Sequence, residues 1–175
     1  ELMEKIDISM KMATIIAIPC TFGLFFLAEP VMKFIFPGRF DGIEILKYLS
    51  LTIPFIIITQ TTTAILQGTG NYIMPVINLL IGCIIKVVLT WILVPLGQFN
   101  VYGAVIASFG AYTVVSILNI ITMKYKLRIK MRLYEIVIKP MYASMIMMLF
   151  VLISYNFLYK NTTSNGISCL ISILL

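Results

Sequence analysis

Lys86 is the residue in this sequence best placed to bind a charged ligand, because it is the single charged residue between Tyr48 and Met123. Polar or small residues recur every four positions around it and form one slowly drifting stripe on a helix: Asn78, Gly82, Lys86 and Thr90. An ammonium group in such a setting offers a fixed positive charge to an anionic ligand such as a phosphate. The alternative is that Lys86 extends to an interface or pairs with a carboxylate outside this chain.

A second polar face is predicted on the preceding apolar segment, where Gln60, Thr63 and Gln67 are spaced i, i+3 and i+7. Two interpretations stay open for this face. It is either the wall of a cavity that hydrogen-bonds a polar ligand, or a set of contacts between helices worth about 1 kcal/mol each. With Lys86 and Asn78, these three residues are the predicted substrate-binding residues.

Catalysis is not expected from this chain. General acid–base chemistry favours histidine or a tuned carboxylate, and the sequence has no histidine and no pair of carboxylates inside an apolar run. The three cysteines are isolated and lack metal-ligand spacing, so no metal or cofactor is predicted, and we expect them to be small buried residues. A weaker polar stripe around Asn119 favours packing, and Glu29 is expected to pair with Lys33 four residues later.

The elements that carry these residues are predicted to be membrane-spanning helices. Hydrophobic residues make up 61% of the chain and charged residues only 11%, whereas a soluble domain is about a quarter charged. A bilayer core of about 30 Å requires about 20 apolar residues of helix. The sequence therefore predicts an all-α, polytopic transmembrane helix bundle. Its spans are expected at about 12–36, 45–67, 72–96, 101–123 and 140–159, with a sixth that begins at 167 and is cut short.

The charges predict how these spans are oriented and divided. The net charge of +6 comes from basic residues at the ends of apolar runs, which indicates a membrane and not a nucleic acid as partner. We predict a cytoplasmic lead (1–11), a four-helix part (12–123), a basic cytoplasmic linker (124–139) and additional helices (140–175). This orientation puts eight basic residues inside and four outside.

Prolines and small residues predict local geometry within the spans. Pro19 is expected to kink its span, Pro54 to interrupt the next one, and both, with Pro75, are candidate hinges. Small residues repeat every four positions at Gly103, Ala107 and Ala111, a spacing that lets helix backbones approach closely in lipid.

Several motifs, in order, resemble those of a known family. The run Thr62–Gly70 (TTAILQGTG) is followed by Ile73–Asn78 (IMPVIN), then by Ile84–Leu89 (IIKVVL) and Val101–Ser108 (VYGAVIAS). Upstream lie Ile18-Pro19-Cys20-Thr21-Phe22-Gly23-Leu24 and Leu27-Ala28-Glu29-Pro30. Together they are similar to the stage V sporulation protein B group, in the superfamily of multidrug/oligosaccharidyl-lipid/polysaccharide exporters that includes the MurJ-type lipid II flippases. One departure is Asn71, where the family often has lysine.

This resemblance implies more than the composition does. The family has about 14 helices in two lobes around a central cavity, so the chain is expected to be a fragment of the second lobe of a MATE/MurJ-like fold. Both ends look cut, and the N-terminal half of the same protein would be a partner. The implied activity is alternating-access flipping of an undecaprenyl-diphosphate-linked glycan across the bacterial plasma membrane, with Lys86 a candidate for the anionic head.

Three other functions are weighed against flipping. A cation-coupled multidrug exporter of the same fold would need an acidic residue in the cavity for the coupling ion. A non-transporting membrane scaffold would pack Lys86 against protein, with no cavity. A membrane-embedded lipid-modifying enzyme would need catalytic carboxylates or histidine outside this chain.

Overall fold

A computed structural model describes residues 2–36, 38, 42–95, 100–127 and 134–162, and the regular structure in these ranges is helical. The predicted all-α class is therefore confirmed. The elements are α1 (Leu2–Phe26), α2 (Ala28–Ile35), α3 (Ile43–Ser50), α4 (Ile53–Gly68), α5 (Ile73–Leu93), α6 (Asn100–Leu127), a π-helical turn (Tyr134–Ile138) and α7 (Lys139–Thr162). The predicted sixth span, from 167, lies outside the described residues.

The long helices pack side by side in the order α7, α1, α4, α6, α5. Helix α1 contacts both α4 and α7, and α6 contacts both α4 and α5. The short helix α3 lies against α1 and α6. Helix α5 has α6 as its main neighbour, so most of its surface faces away from the described part of the chain.

Prolines decide where the helices break. A proline ring clashes with the carbonyl four residues earlier and removes a hydrogen bond. Accordingly α1 ends at Phe26, four residues before Pro30, and α3 ends at Ser50, four residues before Pro54. The α3–α4 pair is bent by 40° at this break, which confirms the predicted interruption. The widened π-helical turn likewise lies directly before Pro140.

The first span differs from the prediction. The sequence placed it at 12–36 after a separate lead, whereas α1 is one helix from Leu2 to Phe26 and the chain then breaks at Leu27. The charged residues of the lead fit into the helix because its first turns need only one apolar side, and Ile6 and Met10 are buried there. Helix α1 also continues through Pro19.

The outer surface of these helices is apolar. Among the described residues, four helices are long and apolar enough to cross a membrane, or five if the bent α3–α4 pair is one span. Only 11% to 33% of the residues in their most apolar stretches are buried within the described ranges. Large side chains such as Trp91 and Ile73 are fully exposed to the surroundings. A water-soluble protein rarely exposes so much apolar surface, so these faces belong against lipid or other membrane helices.

Cys20 and Cys83 lie on this outer surface, as exposed free thiols. The prediction that the cysteines are buried is therefore wrong for these two. Helix α5 contacts α6 through the face that carries Gly82, and the next residue, Cys83, is exposed. Cys20 borders the apolar groove between α1 and α7.

The start of α1, the end of α4 and the end of α6 lie together at one end of the bundle. Ile6 near the start of α1, Leu66 near the end of α4 and Met123 near the end of α6 form a buried apolar cluster. At the same end, the Lys11 ammonium lies 2.6 Å from the Glu135 carboxylate. The predicted Glu29–Lys33 ion pair is also present, at 2.5 Å.

A seam of small residues joins α5 to α6. Ala107 and Ala111 of α6 are buried, and a methyl group added at Gly103 would lie 2.9 Å from the backbone carbon of Leu93. On the α5 side, a methyl group at Gly82 would lie 2.1 Å from a methyl carbon of Val115. The close approach predicted from the spacing of the small residues is confirmed.

We expect Gly103→Ala to destabilise this seam. The new methyl group meets the backbone of Leu93, which cannot rotate away, so the free energy of unfolding should fall by about 1–3 kcal/mol. Thermal denaturation in detergent measures the change. Gly23→Ala is the matched control, because a methyl group there meets nothing within 4 Å; equal effects of the two substitutions would contradict the prediction.

At the bend between α3 and α4, we expect a substitution to stabilise the protein. Thr52 is 1% exposed and its hydroxyl has no hydrogen-bond partner within the described residues. Since an unpaired buried hydroxyl is unfavourable, Thr52→Val should raise the free energy of unfolding by about 1 kcal/mol. Thr62→Val should lower it, because the Thr62 hydroxyl donates to the Ile58 carbonyl at 2.7 Å. A loss at both positions would show that the Thr52 hydroxyl is bonded.

Candidate functional site

The centre of the candidate site is Asn119, whose side chain is fully buried on α6 between α4 and α5. Its amide nitrogen donates to the Thr63 hydroxyl at 2.9 Å and to the Thr62 hydroxyl at 3.1 Å. Its amide oxygen accepts a hydrogen bond from the Asn78 amide at 2.9 Å. One side chain therefore links three helices.

The threonines of α4 are arranged so that they can accept these bonds. Thr62 is buried, and its hydroxyl proton goes to the carbonyl of Ile58 in its own helix, which leaves an oxygen lone pair free for Asn119. The Asn119 amide also lies 3.4 Å from the carbonyl of Thr59. Because lipid supplies no alternative partners, such a buried polar contact favours one relative rotation of the helices.

Asn78 completes the network from α5. It is buried, and its amide nitrogen also donates to the Thr122 hydroxyl at 3.2 Å. We call Thr59, Thr62, Thr63, Asn78, Asn119 and Thr122 the polar seam. The seam joins Asn78 and Thr63, two of the predicted substrate-binding residues, through the amide of Asn119.

Lys86 lies farther along the same side of α5, and its side chain is exposed. Its ammonium nitrogen is 5.9 Å from the centre of the Tyr112 ring on α6, within the range of a cation–π contact. Lys86 makes no ion pair with a carboxylate in the part of the chain that the structure describes. Its charge is therefore uncompensated there.

The position of Lys86 along its helix differs from the prediction. Its span is predicted over 72–96, but α5 ends at Leu93, seven residues beyond Lys86. Pro95 is the reason, because its nitrogen carries no hydrogen to continue the helical hydrogen bonds after Val94. At 1.5 Å per residue the lysine lies about 10 Å from this helix end and about 20 Å from the other.

The stripe predicted along α5 turns gradually as it rises. Asn78 and Gly82 are buried against α6, Lys86 is exposed, and Thr90 is half-buried. Four residues advance a helix by slightly more than one turn, so each member lies farther around the helix than the one before. The stripe thus packs against α6 at Asn78 and Gly82, and it presents a positive charge farther along, at Lys86.

Gln60 and Gln67 do not join the polar seam. Both side chains are exposed and make no hydrogen bond to other described residues. Gln60 directly follows Thr59, whose hydroxyl lies 3.5 Å from the carbonyl of Tyr112. Gln60 therefore lies at the same height along the bundle as Tyr112, the residue whose ring contacts Lys86. Gln67 lies in the last turn of α4, far from that level.

Sequence reasoning missed a second polar group, at the opposite end of the bundle from the Ile6 cluster. The hydroxyl of Tyr102, near the start of α6, donates to the carboxylate of Glu44 in α3 at 2.6 Å. The ring of Tyr102 also meets that of Tyr48 edge to face, with centres 6.1 Å apart. A helix-to-helix pair of this kind leaves no periodic signal, because its members are far apart in the sequence.

The fold and these sites define a membrane protein with several spanning helices. The helix lengths, the apolar outer faces and the polar contacts hidden between helices all agree with that class. The site residues lie inside or beside the spanning helices.

One curated relative supports the class. The chain is 31% identical over 158 residues to the uncharacterized membrane protein YabM of Bacillus subtilis strain 168. The match covers 89% of this chain but 28% of the length of YabM, so the chain spans less than a third of that relative. No protein-family model matches the chain, and no solved structure matches it significantly.

Proposed function

We propose that this chain is part of a plasma-membrane transporter that flips an undecaprenyl-diphosphate-linked oligosaccharide or peptidoglycan precursor by alternating access. The observation that carries the proposal is Lys86. It is a cation within an apolar helix, exposed, and without a carboxylate partner in the described ranges. A lysine costs about 3 kcal/mol at the centre of a membrane helix on insertion scales and less towards its ends. Lys86 lies seven residues from the end of α5, so part of this cost remains and favours a polar neighbour.

A diphosphate is the kind of group that Lys86 suits. A compact ammonium binds phosphate as a point charge, and the aromatic ring of Tyr112 holds the lysine side chain on one side. Gln60, level with that ring and free of hydrogen bonds in the described part, adds an amide that can bond a sugar or phosphate oxygen. Under this proposal Lys86 faces a polar interior shared with the rest of the protein.

The polyprenyl part of such a ligand has a suitable surface between α1 and α7. A cavity of about 300 Å³ lies there, lined mainly by apolar side chains of α1, α2, α7 and the break between α1 and α2: Leu24, Leu27, Val31, Met147, Met148 and Val151. Methionine side chains are flexible and adapt to irregular apolar partners. An isoprenoid tail would lie in this groove while the charged head enters the bundle.

Transport in vesicles tests the proposal directly. The full-length protein is reconstituted with a nitrobenzoxadiazole-labelled undecaprenyl-diphosphate glycan, and a membrane-impermeant reductant then quenches the label on the outer leaflet. We expect the protein to increase the quenched fraction from about half towards completion. A quenched fraction equal to that of protein-free vesicles, with the protein correctly inserted, would refute the proposal.

A further inference from the structure

The pocket around Glu44 differs in chemistry from the Lys86 region. It has a volume of about 490 Å³ and lies between α3 and α6, at the end of the bundle opposite the Ile6 cluster. Glu44 is the one acidic or basic residue among the described residues that line it, and aromatic and aliphatic side chains form the rest: Tyr48, Leu51, Tyr102, Val105, Ile106 and Phe109. The volume lies within the usual range for small-molecule sites.

The negative charge of Glu44 is not neutralised within the described part of the chain. Its carboxylate accepts a hydrogen bond from Tyr102 at 2.6 Å and makes no ion pair with a described residue. Lys47, three residues later, lies instead over the ring of Phe25, 4.9 Å from its centre. The pocket therefore presents one carboxylate oxygen that the tyrosine does not occupy.

The aromatic rings add to the attraction for a cation. Tyr48 and Tyr102 meet edge to face, and Phe109 packs edge to face on Phe55 with centres 5.1 Å apart, so these rings are held in place. Ring faces attract positive charge, by about 0.5–1 kcal/mol at an exposed ring such as that of Tyr48. A carboxylate beside three fixed rings suits a cation that also has an apolar body.

Other ligand classes fit the pocket less well. A phosphate would be repelled by Glu44. A sugar carries several hydroxyl groups that each need a partner when buried. Within the described part of the lining, the polar side chains are Glu44, Tyr48 and Tyr102, and one carboxylate oxygen is already used. We infer that this pocket binds a lipophilic organic cation, at a site separate from Lys86.

A pair of probes with the same shape and opposite charge tests this inference. Binding of tetraphenylphosphonium and tetraphenylborate to the purified full-length protein in detergent is measured by equilibrium dialysis. We expect saturable binding of the phosphonium alone. Glu44→Gln should weaken it by at least about tenfold, and Tyr48→Leu by about threefold or more.

Matched variants separate the site from general effects of charge. Glu29→Gln removes an exposed carboxylate that pairs with Lys33 and does not line the pocket, so phosphonium binding should stay unchanged. Tyr102→Phe keeps the ring and releases the carboxylate, so affinity should be kept or rise. Saturable binding that Glu44→Gln does not weaken, or equal saturable binding of both probes, would overturn the inference. Since neither probe is a lipid-linked glycan, this result is independent of the flipping assay.

Discussion

Lys86→Ala is expected to remove most of the transport activity while leaving the protein inserted and folded. The substitution takes away the only cation between Tyr48 and Met123, and a hydrogen bond to a charged group is worth about 1.5–3 kcal/mol, or roughly ten- to hundredfold in binding. Because Lys86 is exposed and its described contact is the Tyr112 ring, few packing interactions are lost. The vesicle assay with the labelled glycan measures the rate.

Two further variants make this result interpretable. Lys86→Arg keeps the positive charge and should retain more activity than Lys86→Ala, although the guanidinium differs in shape from the ammonium. Lys126→Ala removes an exposed lysine in the last turn of α6 and should leave the rate unchanged. Wild-type transport by Lys86→Ala would eliminate the role proposed for this lysine.

Asn119→Leu is expected to destabilise the packing of three helices at once. The substitution keeps the number and branching of the side-chain heavy atoms but removes four contacts between helices, to the amide of Asn78, the carbonyl of Thr59 and the hydroxyls of Thr62 and Thr63. Interhelical hydrogen bonds in membranes average about 0.6 kcal/mol each, so the free energy of unfolding should fall by about 2 kcal/mol. Denaturation of the detergent-solubilised protein by sodium dodecyl sulfate measures it.

Ser108→Ala provides the control for the loss of a hydroxyl on the same helix. The Ser108 hydroxyl donates to the Ala104 carbonyl of α6 itself, at 2.9 Å, so its removal breaks no contact between helices. The expected change is below about 0.5 kcal/mol. If Asn119→Leu were as mild as Ser108→Ala, the polar seam would not hold the three helices together.

The sequence predicts the number and type of helices well, because bilayer thickness sets the length of an apolar run. The break before Pro54 and the close seam at Gly103 also follow from residue type, since both depend on the backbone alone. The sequence does not determine where α1 begins. A charged side chain in the first turns of a helix is compatible with either helix or loop, and burial of Ile6 decides between them.

The candidate site could be predicted only in part. The spacing of Asn78 and Lys86 puts both on one stripe, but which end of the stripe is buried depends on how α5 is rotated against α6. The link from Thr63 to Asn119 joins residues 56 positions apart, and that from Glu44 to Tyr102 joins residues 58 apart. Single-helix periodicity carries no information on such pairs.

The one-sided packing of α5 has a consequence for how the protein is made. Its main partner, α6, follows it in the chain, so α5 leaves the ribosome before the helix that covers its glycine-bearing face exists. Helix α5 must therefore enter the bilayer by its own hydrophobicity. It is the most apolar of the candidate spans, although it carries Lys86. Co-translational insertion thus favours many aliphatic residues around that lysine, independently of any ligand.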